Sequence, residues 1–185
     1  PFSLELTLLS ELQNGRQMLN TPEVIQRIHQ GGMPALVTGT YSNASIFYSS
    51  YIDTYMERDV RRLSNDIDSL KFLRFLRSVA ARTSQQVNYK GIADDAEIDQ
   101  TTAKNWLHVL EALGIIFLLE PSSNNVLKRT VSTPKLYFYD SGIVCYLTRW
   151  SSPEPAMEGA MSGALLENYT VAEIIKTYQN AGQEP

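Results

Sequence analysis

Apolar residues recur at helical spacing through most of this chain and at strand spacing in one short region near the middle. Leu4, Leu6, Leu8, Leu9 and Leu12, then Val24, Ile25 and Ile28 behind Thr21-Pro22-Glu23, predict two short helices. Thr21 is placed to cap the second, with Pro22 at the first helical position, where a missing N–H costs nothing. Gly31-Gly32-Met33-Pro34 ends it, because Gly supplies a left-handed cap and Pro cannot continue a helix. From Ser45 to about Leu63 the residues Ile46, Phe47, Tyr51, Ile52, Tyr55, Met56, Val60 and Leu63 predict a long connecting helix, with Arg58, Arg61 and Arg62 toward its C-terminal end. Leu70, Leu73, Leu76 and Val79, with Phe72 and Phe75 beside them, predict an amphipathic helix that shows Lys71, Arg74 and Arg77 to solvent.

Beyond the polar stretch Thr83 to Asn88, a short helix is expected over Tyr89 to Ala96, then the turn Glu97-Ile98-Asp99. Asp99 caps a helix from Gln100 to Leu113, with Ala103, Trp106, Leu107, Leu110 and Leu113 facing inward and Gly114 stopping it. Two short helices across a three-residue turn make a helix-turn-helix. The spacing then shifts to that of strands at Ile115 to Leu119 and Leu136 to Tyr139, a hairpin in the position of a wing. Ile143 to Leu147 resumes helix, Ser151 to Pro155 is a loop, and Leu165 to Tyr178 is a final helix. The expected fold is mainly α, a winged helix-turn-helix with a small β-hairpin between helical flanks. The expected divisions are residues 1–45, a connecting helix over 46–67, the winged helix over 68–140, and a last segment over 141–185.

Composition narrows the class. With 185 residues, 43% of them hydrophobic, the chain can bury a core without staples. The single cysteine, Cys145, lies in the apolar run Ile143 to Leu147, which excludes a disulfide framework and points to a buried thiol in a reducing compartment. No stretch approaches the roughly 18 apolar residues of a membrane span, so a cytoplasmic protein without membrane contact is expected. The sequence opens on Pro1-Phe2-Ser3 without an initiator Met or a leader pattern, which suggests trimming. Net charge is -4, against the basic excess of a dedicated nucleic-acid binder. The distribution is uneven: residues 83–125 hold two Lys/Arg against six Asp/Glu, whereas residues 126–150 hold four against one.

Candidate chemistry is sparse. No Gly-x-x-x-x-Gly-Lys-Ser/Thr string occurs, so the chain lacks the amides and lysine that cradle phosphates for hydrolysis. His29 and His108 stand far apart without a Cys/His cluster and read as exposed helix residues, so no metal site and no catalytic residue is assigned. Glu57 and Asp59 among Arg58, Arg61 and Arg62 read as an ion-paired helix surface. The second helix of the helix-turn-helix presents Gln100, Thr101, Thr102, Lys104, Asn105 and His108, types able to read bases or phosphates. Its acidic surroundings leave a protein-protein module and a DNA-binding module as two open readings, with Lys128, Arg129 and Lys135 of the wing as the phosphate candidates.

Several stretches then resemble one family in order and spacing: Tyr51 to Val60, Asn88-Tyr89, Thr102 to Leu107, Leu110 to Ile116, and Ser132 to Gly142. They look like prokaryotic AAA-class P-loop ATPases of the signal-transducing type that end in a conserved domain of unknown function, and the likeness covers roughly residues 1 to 178. The resemblance implies that residues 1–45 are the remnant of a helical lid and that an ATPase core precedes them, a partner absent from this chain. ATP and Mg would belong to the full-length protein, with no cofactor in this portion. Gly31, Gly32 and Pro34 resemble a nucleotide-sensing loop and would contact nucleotide only with that core. Gly163 to Asn168 resembles the first helix of a restriction-endonuclease-like domain, in which Glu167 would be a lone metal-binding acid. The function implied is a non-catalytic portion of an ATPase whose winged helix meets a partner or DNA. A DNA-binding regulator and a part of an ATP-dependent nuclease are the alternatives.

Overall fold

The computed structural model describes residues 19–56, 58, 68–121 and 133–183. The helix expected at Leu4 to Leu12, the later part of the connecting helix with Glu57, Asp59, Arg61 and Arg62, and the wing tip with Lys128 and Arg129 lie outside the described residues. The described chain is mainly helical with one small antiparallel sheet, as the apolar spacing predicts.

Helix α1 spans Thr21–Gln30. Its cap is Asn20, one residue before the expected Thr21: the Asn20 side chain accepts from Glu23 N–H, and the Glu23 carboxylate accepts from Asn20 N–H, both at 2.9 Å. That reciprocal pair satisfies two donors at once, which a Thr21 cap would not. A single turn, α2 (Pro34–Val37), leads to α3 (Ala44–Tyr51), capped by Asn43. The expected uniform connecting helix is instead interrupted here, since Ile52–Met56 continues α3 with π-helical spacing.

Helix α4 (Ser69–Ala80) starts at Asp68, whose carboxylate accepts from the amides of Leu70 and Lys71. These bonds hold the Asp68 carboxyl below the usual carboxylate range. The buried stripe is Phe72, Phe75, Leu76 and Val79, whereas Leu70 is 59% exposed. The apolar face is therefore rotated toward the two phenylalanines, which meet the edge of Trp106 at 5.4 and 5.3 Å between ring centroids. Large aromatic area outweighs the leucine at the helix start.

Residues 84–87 run along the outer edge of the sheet: Ser84 N–H donates to Leu136 O, Leu136 N–H to Gln85 O, and Val87 N–H to Pro134 O. Helix α5 (Tyr89–Ala96) and helix α6 (Gln100–Ala112) follow, the latter capped by Asp99 as predicted. Trp106, Leu107 and Leu110 are buried, but Leu113 is 38% exposed because it lies past the last helical turn. Gly114 takes a φ of +67°, the left-handed conformation its place after the helix requires. Strand β1 (Ile116–Leu119) pairs antiparallel with β2 (Lys135–Phe138), with Ile116 opposite Phe138 and Leu119 opposite Lys135. Helix, edge segment, helix, turn, helix and two strands is the order of a winged helix-turn-helix.

Helices α7 (Ser141–Leu147), α8 (Pro153–Glu158) and α9 (Ser162–Asn180) complete the described chain. Packing crosses each division drawn from the sequence, for Ile28, Tyr48, Phe75, Trp106, Phe138, Ile143 and Leu165 belong to one continuous buried cluster. Asn168 of α9, fully buried, bonds both backbone groups of Phe138, accepting from its N–H at 2.8 Å and donating to its C=O at 3.1 Å. It thereby extends the sheet edge with a side-chain amide, and its oxygen also accepts from the Thr83 hydroxyl. No helix among the described residues is long and apolar enough to cross a membrane.

The position of Trp106 between Phe72 and Phe75 predicts that Trp106→Ala costs about 3 to 5 kcal/mol in urea titration, the range for deleting a buried large aromatic. Leu113→Ala, at the exposed helix end, costs under about 1 kcal/mol in the same titration.

Candidate functional site

Gly31, Gly32 and Pro34, expected to form a nucleotide loop, sit where α1 turns back toward α7. Gly31 holds a φ of +80°, and a Cβ there would stand 2.5 Å from Asp140 Oδ1 and closer still to the Tyr48 hydroxyl. Only glycine fits. The Gly31 N–H donates to Arg27 O at 2.8 Å, and the Gly32 N–H donates to Asp140 Oδ2 at 2.7 Å. Pro34 opens α2 and is exposed. The two glycine amides are thus engaged by the chain itself. Asp140 Oδ1 in turn accepts from the Ile143 N–H, capping α7, and from the Tyr48 hydroxyl at 2.5 Å. Burial, then the charge of Asp140, raise the titration of Tyr48 well above the ordinary tyrosine range. Gly142 closes the joint: a Cβ on it would lie 2.6 Å from the Gln30 carbonyl oxygen.

The face of α6 is presented as the sequence predicts. Gln100, Thr101, Lys104, Asn105 and His108 are exposed. Thr102 is diverted, for its amide and hydroxyl both donate to Asp99, at 2.9 and 2.5 Å. Those bonds, the hydroxyl's first, hold the Asp99 carboxyl low. Lys104 Nζ lies over the Tyr89 ring, 5.3 Å from its centroid, and His108 Nδ1 is 3.7 Å from a Glu111 oxygen. The acids of α5 and its C-cap are matched locally: Asp94 by Lys90, Asp95 by Arg82 and Glu97 by Arg74. Two of those cations, Arg74 on α4 and Arg82 just past its end, precede residue 83, so the acid excess counted within residues 83–125 is partly neutralised from outside that stretch. What is left on α6 is polar and close to neutral.

On the strand that leads from the wing, Lys135 Nζ pairs with Glu167 Oε1 at 2.8 Å, and the Tyr137 hydroxyl donates to the same oxygen at 2.7 Å. The lysine, then the tyrosine, lower the Glu167 carboxyl below its usual range. Glu167, expected to stand alone, therefore serves to fasten α9 to β2, and Lys135 is a matched charge. Among the described residues no cluster of His, Cys, Asp and Glu could hold a metal ion.

His29, read as exposed, is half-buried and its Nε2 lies 3.0 Å from the Trp150 carbonyl oxygen. Its partner comes from a helix end 121 positions away, which helical spacing cannot reveal. Cys145 is buried as predicted, and burial pushes its thiol up to about 12. The sequence reading missed Tyr48, Asp140 and Asn168 as polar joints. Asp140-Ser141-Gly142 carried a signal, as an N-cap before an apolar run, but Tyr48 and Asn168 look like ordinary helix residues until their partners are placed.

Fold and site together define a mainly helical module with one small antiparallel sheet, in which the Gly32 amide and Lys135 are engaged by the chain itself. Residues 21–154 match the family described as a domain of unknown function, DUF8612, and the chain belongs to that family. It is also similar to two uncharacterized proteins, Mb2031c of Mycobacterium bovis and Rv2008c of Mycobacterium tuberculosis. Each is 28% identical over 116 residues, which cover 62% of this chain and 26% of the relative. The matched region thus spans about a quarter of the relatives' length. No solved structure matches.

The Tyr48 hydroxyl gives a pH-dependent prediction. A group whose native titration is raised contributes fully below its unfolded value, here 10.0, and loses that contribution as pH rises past it. In urea titrations Tyr48→Phe is less stable than the unaltered chain at neutral pH by about 1 to 2 kcal/mol. At about pH 11 that gap narrows by roughly 1.4 kcal/mol, because the unfolded tyrosine ionises and the native one does not.

Proposed function

We propose that this chain is a non-catalytic interaction module of a longer protein, and that its winged helix offers the exposed face of α6 to a protein partner. The observation that carries this reading is the charge state of that face. Gln100, Thr101, Asn105 and His108 are exposed without a surplus of cations around them, Lys104 rests on Tyr89, and Lys135 is matched by Glu167. A surface that binds duplex DNA instead gains most of its affinity by neutralising phosphates. A polar, near-neutral helix face with shape suits a protein surface better.

The resemblance to AAA-class ATPases extends the proposal. In the longer protein a P-loop core with ATP and Mg would precede α1, and the module would pass the nucleotide state of that core to its partner. The module's share of its relatives' length, about a quarter, is consistent with such an arrangement. Gly31, Gly32 and Pro34 would then act through the joint to Asp140, since the glycine amides are engaged there.

DNA binding through the wing is the second reading, favoured by the four bases against one acid in residues 126–150. Lys135 is already matched and Arg149 lies away from the wing at the end of α7, so Lys128 and Arg129 carry that reading. Fluorescence anisotropy of a labelled duplex at two salt concentrations separates the two. The expected outcome is weak binding, with dissociation constants of about 1 to 100 μM or weaker near physiological salt and no sequence preference. Replacing Lys128 and Arg129 by Ala lowers the slope of log affinity against log salt by about two, and replacing Lys104 and Asn105 changes little. If the Lys104/Asn105 variant instead abolishes a sequence preference while the Lys128/Arg129 variant binds normally, α6 reads bases and the protein-partner reading falls.

A further inference from the structure

A cavity of about 440 Å³ opens between α1, α3, α4 and α7, beside the joint formed by Tyr48 and Gly142. Its size falls within the range of about 300 to 1,000 Å³ typical of small-molecule sites. Leu73, Leu147, Tyr146 and Trp150 give it apolar and aromatic walls, and Arg77 and Arg149 are the two charged side chains among its lining residues. No carboxylate is among the residues that line it. Neither guanidinium has an ion-pair or hydrogen-bond partner among the described residues, although Arg74 on the same helix as Arg77 and Arg82 just past its end are both paired. Two unmatched cations around one concave, partly apolar space leave a positive potential that an anion would relieve.

The walls are held in place. The Trp150 backbone is tied to His29 Nε2, and its ring packs so closely on Gly159 that a Cβ there would lie 2.7 Å from the ring atom Cζ3. Arg149 occupies the left-handed position after α7, at a φ of 65°, with the Trp150 N–H closing back onto Cys145 O at 2.9 Å. Glycine is the residue this cap favours, so an arginine held there is strained, and its place fixes the start of its side chain beside the cavity. The Trp150 indole N–H, buried, has no acceptor among the described residues.

We propose that this cavity binds a small organic anion, with a phosphate or carboxylate group held between Arg77 and Arg149 and a planar apolar portion against Tyr146 and Trp150. Guanidinium groups suit this role, since each can give two parallel N–H bonds to such an oxyanion. The site is separate from the α6 face, and its test does not depend on what α6 binds.

The probe is phenyl phosphate, compared with the neutral benzyl alcohol, titrated into the isotope-labelled 185-residue chain and followed by the indole N–H signals of its two tryptophans. Phenyl phosphate is expected to shift the Trp150 signal saturably with a dissociation constant below about 1 mM, leaving the Trp106 signal in place, and benzyl alcohol to bind at least about tenfold more weakly. Arg77→Gln combined with Arg149→Gln is expected to weaken phenyl phosphate about tenfold or more while the thermal melt stays unchanged. Equal binding of the two probes, or no saturable shift of Trp150 with phenyl phosphate in the unaltered chain, overturns the proposal without reference to any variant. Undiminished binding by the folded double variant overturns the assignment to these two arginines.

Discussion

One carboxylate ties the N-terminal helices to the rest of the molecule. Asp140 is 9% exposed and accepts from three donors drawn from three places, the Gly32 amide, the Tyr48 hydroxyl and the Ile143 amide. A buried carboxyl group is costly unless its oxygens are satisfied, and removing one donor leaves part of that cost uncompensated. The end of α1, the body of α3 and the start of α7 therefore share one condition of stability. The glycines on either side of it follow from that condition, because any side chain at Gly31 or Gly142 would occupy the space of the hydroxyl.

A second polar joint does the same for the C-terminal helix. Asn168 supplies one acceptor and one donor to the outer edge of β2, where a short strand would otherwise leave Phe138 unpaired beyond residues 84–87. Lys135 and Tyr137 meet Glu167 one position earlier, so α9 is fastened to the strand that leads out of the wing. This arrangement has a functional consequence. Lys135, which could have served the wing as a phosphate contact, is consumed in holding the helix, and on the exposed polar surface of α6 the one lysine, Lys104, rests on Tyr89.

Much of this fold was legible in the order of residues. The capped start at Asp99, the stop at Gly114 and the switch to strand spacing after Ile115 all rest on local chemistry, and local chemistry is what a sequence displays. The errors fall where tertiary packing chooses between local options. Leu70 and Leu113 satisfy the helical period yet lie at helix ends, where the period no longer faces the core, and Phe72 and Phe75 take the buried face because Trp106 is there to receive them. The site was less legible still. Gln100, Lys104 and Asn105 could be picked as exposed on α6, but the engagement of Lys135 by Glu167 joins positions 32 residues apart, and that of Gly32 by Asp140 joins positions 108 apart. That Arg77 and Arg149 lack partners among the described residues becomes visible only beside Arg74 and Arg82, whose acids come from another helix and its cap.

The measurement that bears most directly on this account is hydrogen exchange on Asp140→Asn. The replacement keeps the shape and one accepting oxygen for the α7 cap, but it turns a donor toward the Gly32 amide in place of the acceptor now there. The account predicts that amides in Thr21–Gln30 and Pro34–Val37 lose protection while those of Ser69–Ala80 and Gln100–Ala112 keep it. Unchanged protection across Thr21–Gln30 would contradict the claim that Asp140 holds the N-terminal helices to the winged helix.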